Sequence, residues 1–188
     1  MSTWFTADPH FGHPAILAFR PGWATVEVMD ADLVERWNAV VRPTDTVYVL
    51  GDVAVSTAGL GPVDQLAGRK ILICGNHDAP WAGHPRRGDA RPYREAGFAE
   101  IHPHLHHTTV AGRRVRLAHL PYSTHQIGAP FPAWKPTDDG VPLLHGHVHE
   151  ERRASTSPAG TPEVNVGVDV WDFAPVSAEE LAELLPTP

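Results

Sequence analysis

Cysteine is nearly absent from this 188-residue chain: there is one, Cys74. A lone cysteine cannot close an intramolecular disulfide, so Cys74 is expected to pack as a small hydrophobe in a core strand. Long apolar runs are missing too. No stretch approaches the roughly 20 residues that span a bilayer. The N-terminus has no basic segment and no signal-type apolar stretch, which predicts no targeting peptide. Together these absences predict a cytoplasmic protein with no membrane partner. Positive charge is also in deficit. Lys and Arg number 15 against 22 Asp and Glu, a formal net charge of −7 with 13 neutral histidines. A chain that grips many phosphates of a long nucleic acid is usually basic or carries a basic stripe. Long nucleic acid is therefore not the expected partner, although the end of a strand remains compatible. What is present, 42% hydrophobic and 20% charged residues, is the composition of an ordinary globular protein. The length suits one domain over residues 1–188 with a substantial core.

Five apolar runs end in the same way. Thr3 to Ala7 leads into Asp8-Pro9-His10, and Thr46 to Leu50 into Gly51-Asp52. Lys70 to Cys74 leads into Gly75-Asn76-His77-Asp78, Arg114 to Ala118 into His119, and Val141 to Leu144 into His145-Gly146-His147-Val148-His149. Each reads as a strand closed by polar residues, where Gly75 is expected to let the backbone turn sharply. Strand ends are where sites collect in α/β sheets. Carboxylates, an amide oxygen and neutral imidazoles suit divalent ions such as Mn, Zn, Fe or Ni. Asp8/His10 and His147/His149 are i, i+2 pairs, which extended chain places on one face.

With these blocks in order, the chain resembles the calcineurin-like metallophosphoesterases, whose pattern is D-x-H, G-D, G-N-H-[DE], H and G-H-x-H. The resemblance spans positions 8 to 149. A small bacterial and phage branch is matched further by Phe5 to His13, Trp37-Asn38, and Asn165 to Asp172. The resemblance implies a four-layer αββα sandwich with two mixed β-sheets and a dinuclear metal site at the strand C-terminal ends. It implies one ion on Asp8, His10, Asp52 and His149, and a second on Asp52, Asn76, His119 and His147, with Asp52 shared. It also implies attack on phosphorus by a hydroxide held between the ions. His77 is then the general acid, and Asp78 orients it. The activity implied is hydrolysis of a phosphate ester, with a phosphodiesterase acting on a small nucleotide or nucleic acid end favoured. A phosphomonoesterase and an endonuclease are the alternatives within the enzyme class, the latter disfavoured by the acidic balance. A catalytically silent metal-binding interaction module is the alternative outside it. The stretches Gly51 to Thr57 and Gly75 to Asp78 depart from the phosphoprotein phosphatase pattern, which argues against phosphoserine and phosphothreonine proteins as the main substrate.

The remaining segments are read from pattern. A helix is expected over Met29 to Val41, with Leu33, Val34, Trp37, Val40 and Val41 as its apolar stripe and Asp30 as N-cap. Asn38 beside it reads as solvated. A loop over Val53 to Gly61 precedes a short helix over Pro62 to Ala67. Residues 79–97, with Arg86, Arg87, Arg91 and Arg94, read as the longest irregular segment, a candidate substrate cover. His102, His104, His106 and His107 read as alternating polar residues on a sheet face rather than a third metal site. Residues 121–140 read as loop, with Phe131 and Trp134 packing into the core. Val164, Val166, Val168 and Val170 predict a half-buried strand. Ser177 to Glu180 predicts a capping box opening a last helix. His13 and Arg20 are candidate contacts to the substrate phosphate or leaving group.

Overall fold

The computed structural model describes residues 1–85, 88–122, 131–149 and 152–185. Its strands in chain order are β1 (Thr3–Thr6), β2 (Thr46–Val49), β3 (Arg69–Ile73), β4 (Phe98–His102) and β5 (Leu105–Val110). They continue with β6 (Arg113–Ala118), β7 (Leu143–His145), β8 (Ala154–Thr156), β9 (Pro162–Asn165) and β10 (Val176–Ser177). The α-helices are α1 (Val26–Val40), α2 (Arg91–Glu95) and α3 (Ala178–Leu184).

Two five-stranded sheets result, ordered β10-β1-β2-β3-β4 and β5-β6-β7-β9-β8. In the first, β1 to β4 are parallel and β10 is antiparallel. In the second, β6, β7 and β9 run parallel while β5 and β8 are antiparallel. Both sheets are therefore mixed, and the α/β class with two mixed sheets is as expected.

Period-two patterning sorts the core. Phe5, Ile71 and Ile73 of the first sheet meet Val110, Val115, Leu117, Leu144 and Val164 of the second in one buried cluster. Val47, Val49 and Leu72 point the other way, onto Met29, Leu33 and Trp37 of α1, and Cys74 is buried with them. Each such side chain contributes about 1.5–3 kcal/mol on burial. The helical cover is uneven: α1 and α2 lie on the first sheet's side, while α3 docks against β1, β5 and β10.

Several local expectations are corrected. α1 starts at Val26, because Thr25 is extended and its side chain accepts from the Val28 amide. Asp30 is inside the helix and accepts the Gly12 amide at 2.9 Å instead. Asn38 is not merely solvated: it donates to Gln65 and accepts from Ala67 at 2.9 and 2.8 Å. The short helix expected over 62–67 is a 3-10 helix over Thr57–Gln65. Its three-residue repeat turns Leu60 and Val63 onto one buried face. Residues 79–97 are not wholly irregular, since α2 forms there around buried Tyr93; Arg86 and Arg87 lie outside the described residues. The valine alternation does not make one strand. After β9 the chain crosses to the end of β1, Ala7 bridging Gly167, and turns into a 3-10 helix over Val168–Val170. The Ser177 capping box forms with Glu180 as expected. Phe131 and Trp134 pack on Trp81, with ring centroids 5.0 and 5.8 Å away; residues 123–130 of the expected loop lie outside the described residues.

Candidate metal centre

The loops that leave β1, β2 and β3 deliver Asp8 and His10, Asp52, and Asn76-His77-Asp78 to one end of the first sheet. β6 and β7 of the second sheet deliver His119, His147 and His149 to the same place. Among the described residues, two groups of acidic and histidine side chains can hold a metal ion: Asp8, His10, His149, and Asp52, His119, His147. Within each group the ligand atoms lie within 4.8 Å of one another. Asp52 faces both groups. Its Oδ2 is 3.3 Å from His119 Nε2 and 3.8 Å from His10 Nε2. Asn76 Oδ1 joins the second group, 3.1 Å from His119 Nε2.

A divalent ion fits these residues. Asp8 Oδ1 and both ring nitrogens of His10 are buried without a hydrogen-bond partner, a costly arrangement unless something else takes their lone pairs. Two of the other imidazoles are held from behind. His119 Nδ1 donates to the Leu50 carbonyl at 2.8 Å, and His149 Nδ1 to Asp169 Oδ2 at 2.9 Å. Each turns Nε2 toward its group, as metal-binding histidines require, and in His119 that nitrogen meets Asn76 Oδ1 and Asp52 Oδ2.

The backbone is bent to make this possible. Asp8, His10, Asp52 and His147 have φ of 58°, 52°, 51° and 71°. This is the left-handed region, which L residues avoid and which collects at functional sites. Gly75 is present for a different reason from the turn expected of it: a Cβ there would sit 2.3 Å from Asp52 Oδ1 and 2.8 Å from His119 Nδ1. Gly146 is equally tight against Asp8, with Oδ2 2.3 Å from where its Cβ would be.

Burial governs the charges. It lifts the Asp8 carboxyl to about 6, against the pull of His119 and His149. It presses His10 down to about 3 and His147 to about 4, so both are neutral and able to ligate at pH 7. Burial also disfavours the charged form of His119, but Asp52 and then Asp8 outweigh it and hold that imidazole up to about 10. Burial would raise Asp52, yet His119 keeps it well below the usual carboxylate range. In the ion-free protein the pair is ionic, and an ion at the second group would displace the His119 proton.

The expected auxiliary residues divide. His77 is at the exposed rim, its ring edge-on to His10 at 5.6 Å and its backbone amide bonded to Asp52 Oδ1 at 2.9 Å. His13 is also at the rim, 5.7 Å from the His10 ring. Asp78 does not orient His77. It is fully buried and accepts the amides of Asp52, Val53 and Gly75 at 2.9, 3.1 and 2.8 Å, clamping two site loops together. Burial, with Asp52 nearby, pushes its carboxyl up to about 7 although the amides oppose this. Arg20 is not poised for a substrate phosphate. It is 2% exposed, and its guanidinium goes to Asp169 and to the carbonyls of Asp8 and Pro9. Of the histidines over 102–107, His102 and His106 meet as tilted rings with centroids 4.1 Å apart, and His104 bonds the Trp134 carbonyl at 2.7 Å. Asp169 was missed from the sequence as a site residue. Asn165, which donates to the Val148 carbonyl between the two site histidines at 3.1 Å, was missed with it. Their signal was the polar face of the 165–172 segment.

No family model matches the chain. The gene 66 proteins of mycobacteriophages L5 and D29 are 35% and 33% identical to it, covering 98% of this chain in both cases and 94% and 96% of theirs. A solved structure of a protein of unknown function from Aquifex aeolicus has the same fold, with a TM-score of 0.76 and 25% identity over 98% of this chain and 99% of that one. An archaeal phosphodiesterase is similar at a TM-score of 0.46 and 18% identity over 89% of this chain and 84% of that one, a likeness too distant to bear on activity. At this identity and coverage, the chain belongs to the family of the mycobacteriophage gene 66 proteins.

Proposed function

We propose that residues 1–188 form one calcineurin-like metallophosphoesterase domain, a divalent-metal-dependent hydrolase of phosphate esters. The favoured activity is that of a phosphodiesterase on a small nucleotide or nucleic acid end. The observation that carries this reading is Asp52 standing between two ligand groups, with Asp8 Oδ1 and the His10 nitrogens buried and unpartnered beside it. Asp8, His10, Asp52 and His149 would hold one ion, and Asp52, Asn76, His119 and His147 the other. Mn, Zn, Fe and Ni all suit such mixed oxygen and imidazole ligands. When bound, the ions would polarise the phosphoryl oxygens and lower the pKa of a water molecule.

The rest falls to the chain itself. The ligand carboxylates and imidazoles fix where a phosphoryl group sits relative to His77. Asp52 Oδ1 fixes the backbone of His77 through its amide, and the exposed ring faces the groups with Nε2 3.8 Å from Asp52 Oδ2. His77 donates the Nε2 proton to the departing oxygen. His13 lines the same rim and is the remaining candidate for contact with the leaving group. The net charge of −7 favours a compact ester over a long polyanion.

The test compares bis-p-nitrophenyl phosphate with p-nitrophenyl phosphate, and then aryl with alkyl esters in His77→Ala. Preferred turnover of the diester, with alkyl esters losing far more than aryl esters in the variant, is the expected result. Preference for the monoester would make the phosphomonoesterase the better reading. Equal losses on both ester types would remove His77 as general acid.

A further inference from the structure

Arg20 and Asp169 ligate nothing in the scheme above, yet they are joined by a two-point contact across 149 residues of sequence. Arg20 Nε donates to Asp169 Oδ1 at 2.7 Å, and Nη2 to Oδ2 at 2.8 Å. The same guanidinium reaches back to the first strand's loop. Nη2 donates to the Asp8 carbonyl at 2.8 Å and Nη1 to the Pro9 carbonyl at 3.1 Å. Asp169 Oδ2 then accepts from His149 Nδ1 at 2.9 Å. One buried cation therefore holds the backbone that carries Asp8 and His10 and, through Asp169, the ring of His149. Those are the three members of one ligand group. Among the described residues, neither Arg20 nor Asp169 hydrogen-bonds to Asp52, His119 or His147, the members of the other.

Each contact has a physical consequence for an ion. A carboxylate on Nδ1–H fixes the tautomer and ring plane of a ligating histidine and raises its basicity. A forked arginine–carboxylate pair fixes that carboxylate in turn, which a point charge cannot do. The carbonyl bonds bear on the backbone itself. Asp8 and His10 are in the left-handed region, a conformation that persists only where its surroundings over-determine it. Arg20 clamps the two carbonyls between them.

We propose that Arg20 and Asp169 are positioning residues that set the divalent-cation affinity of the Asp8–His10–His149 group independently of the Asp52–His119–His147 group. The inference rests on the metal-site reading above. It also gives a role to part of the 165–172 segment, which the ligand pattern leaves without one.

The experiment is calorimetric titration of Mn²⁺ into the chelator-stripped full chain, with each variant's thermal unfolding recorded alongside. Wild type is expected to bind two ions. Asp169→Asn and Arg20→Lys are expected to weaken one of them about 10–100-fold, the usual effect of removing such a support, and to leave the other within about twofold. Asp169→Glu, which keeps the charge, is expected to recover part of the loss and stands in if the asparagine variant does not fold. His149→Gln identifies the ion concerned: Asp169→Asn added to it should cost that ion little more. Equal weakening of both ions would overturn the proposal, as would unchanged affinities in variants that only unfold at lower temperature. Wild type that binds no ion would overturn the metal-site reading and the relay with it. Two ions in wild type and no selective loss would overturn the relay alone.

Discussion

Replacing His147 by glycine is expected to leave the ion-free protein more stable than replacing it by alanine. His147 has φ 71°, and its amide donates to Asp8 Oδ2 at 2.9 Å. Both substitutions keep that backbone bond and remove the same partly exposed imidazole, so they differ mainly in the cost of the backbone. A residue with a Cβ spends about 1–2 kcal/mol in this region. Glycine avoids that cost but loses about 0.4–1 kcal/mol through its freer unfolded chain. His13 supplies the control, since it is also partly exposed but has φ −109°, where glycine carries only the unfolded-state penalty. Subtracting the glycine–alanine difference at 13 from that at 147 cancels the unfolded-state contribution and isolates the left-handed cost. For a chain of this length about 1–2 kcal/mol corresponds to about 2–8 °C in Tm. The assay is thermal unfolding of the four variants in chelator at neutral pH. An alanine at 147 as stable as glycine, or the same glycine–alanine difference at both positions, would refute the claim that site geometry is held against backbone preference.

Three further outcomes follow from particular contacts. Gly146→Ala places a Cβ 2.3 Å from Asp8 Oδ2 and 2.5 Å from Ala7 Cβ; it should cost about 1–3 kcal/mol of stability and abolish ion binding at the Asp8 group in titration, and normal binding would contradict the close approach. Asp78→Asn replaces an acceptor of three amides by a side chain with one acceptor oxygen. Loss of about 2–3 kcal/mol in denaturant unfolding is expected, with the aryl-to-alkyl rate ratio unchanged; a shifted ratio would return Asp78 to the side of His77. Asp30 has its carboxyl lifted to about 6 by burial, although the hydrogen bond from the Gly12 amide pulls the other way. A carboxyl raised in this way supports folding below its unfolded value near 4 and loses that support as pH rises through about 6. Asp30→Asn should therefore raise stability at pH 8 by about 1 kcal/mol, allowing for partial exposure, and not at pH 4; a gain independent of pH would contradict it.

What the sequence made legible was chemistry tied to short-range pattern. Short apolar runs gave β1, β2, β3 and β6, and each polar block at their ends could be read off because it follows its strand directly. The Ser177–Glu180 capping box is equally local. What stayed hidden is set at a distance. The three amides on Asp78 come from two loops, so nothing near residue 78 distinguishes a clamp from a partner of His77. The left-handed backbone of Asp8, His10, Asp52 and His147 is imposed by the packing of the site, and none of these residue types demands it. Arg20 and Asp169 meet across 149 positions, and a lone arginine after a site loop reads as a phosphate contact when its partner is that far away in sequence. The valine alternation over 164–170 misled because all four valines are buried, but Val164 lies in β9, Val168 and Val170 in the 3-10 helix, and Val166 in the crossing between them.

On the proposed reading, two divalent ions on these seven side chains make a phosphodiesterase. The most direct test of that reading is hydrolysis of bis-p-nitrophenyl phosphate by chelator-stripped protein reloaded with Mn, Zn, Fe or Ni, with bound ions counted in the same samples and Asn76→Ala run in parallel. Turnover that appears only with bound ions, rises with the second, and falls away in Asn76→Ala is the predicted result. Protein that holds two ions and turns over no ester with any metal would contradict it.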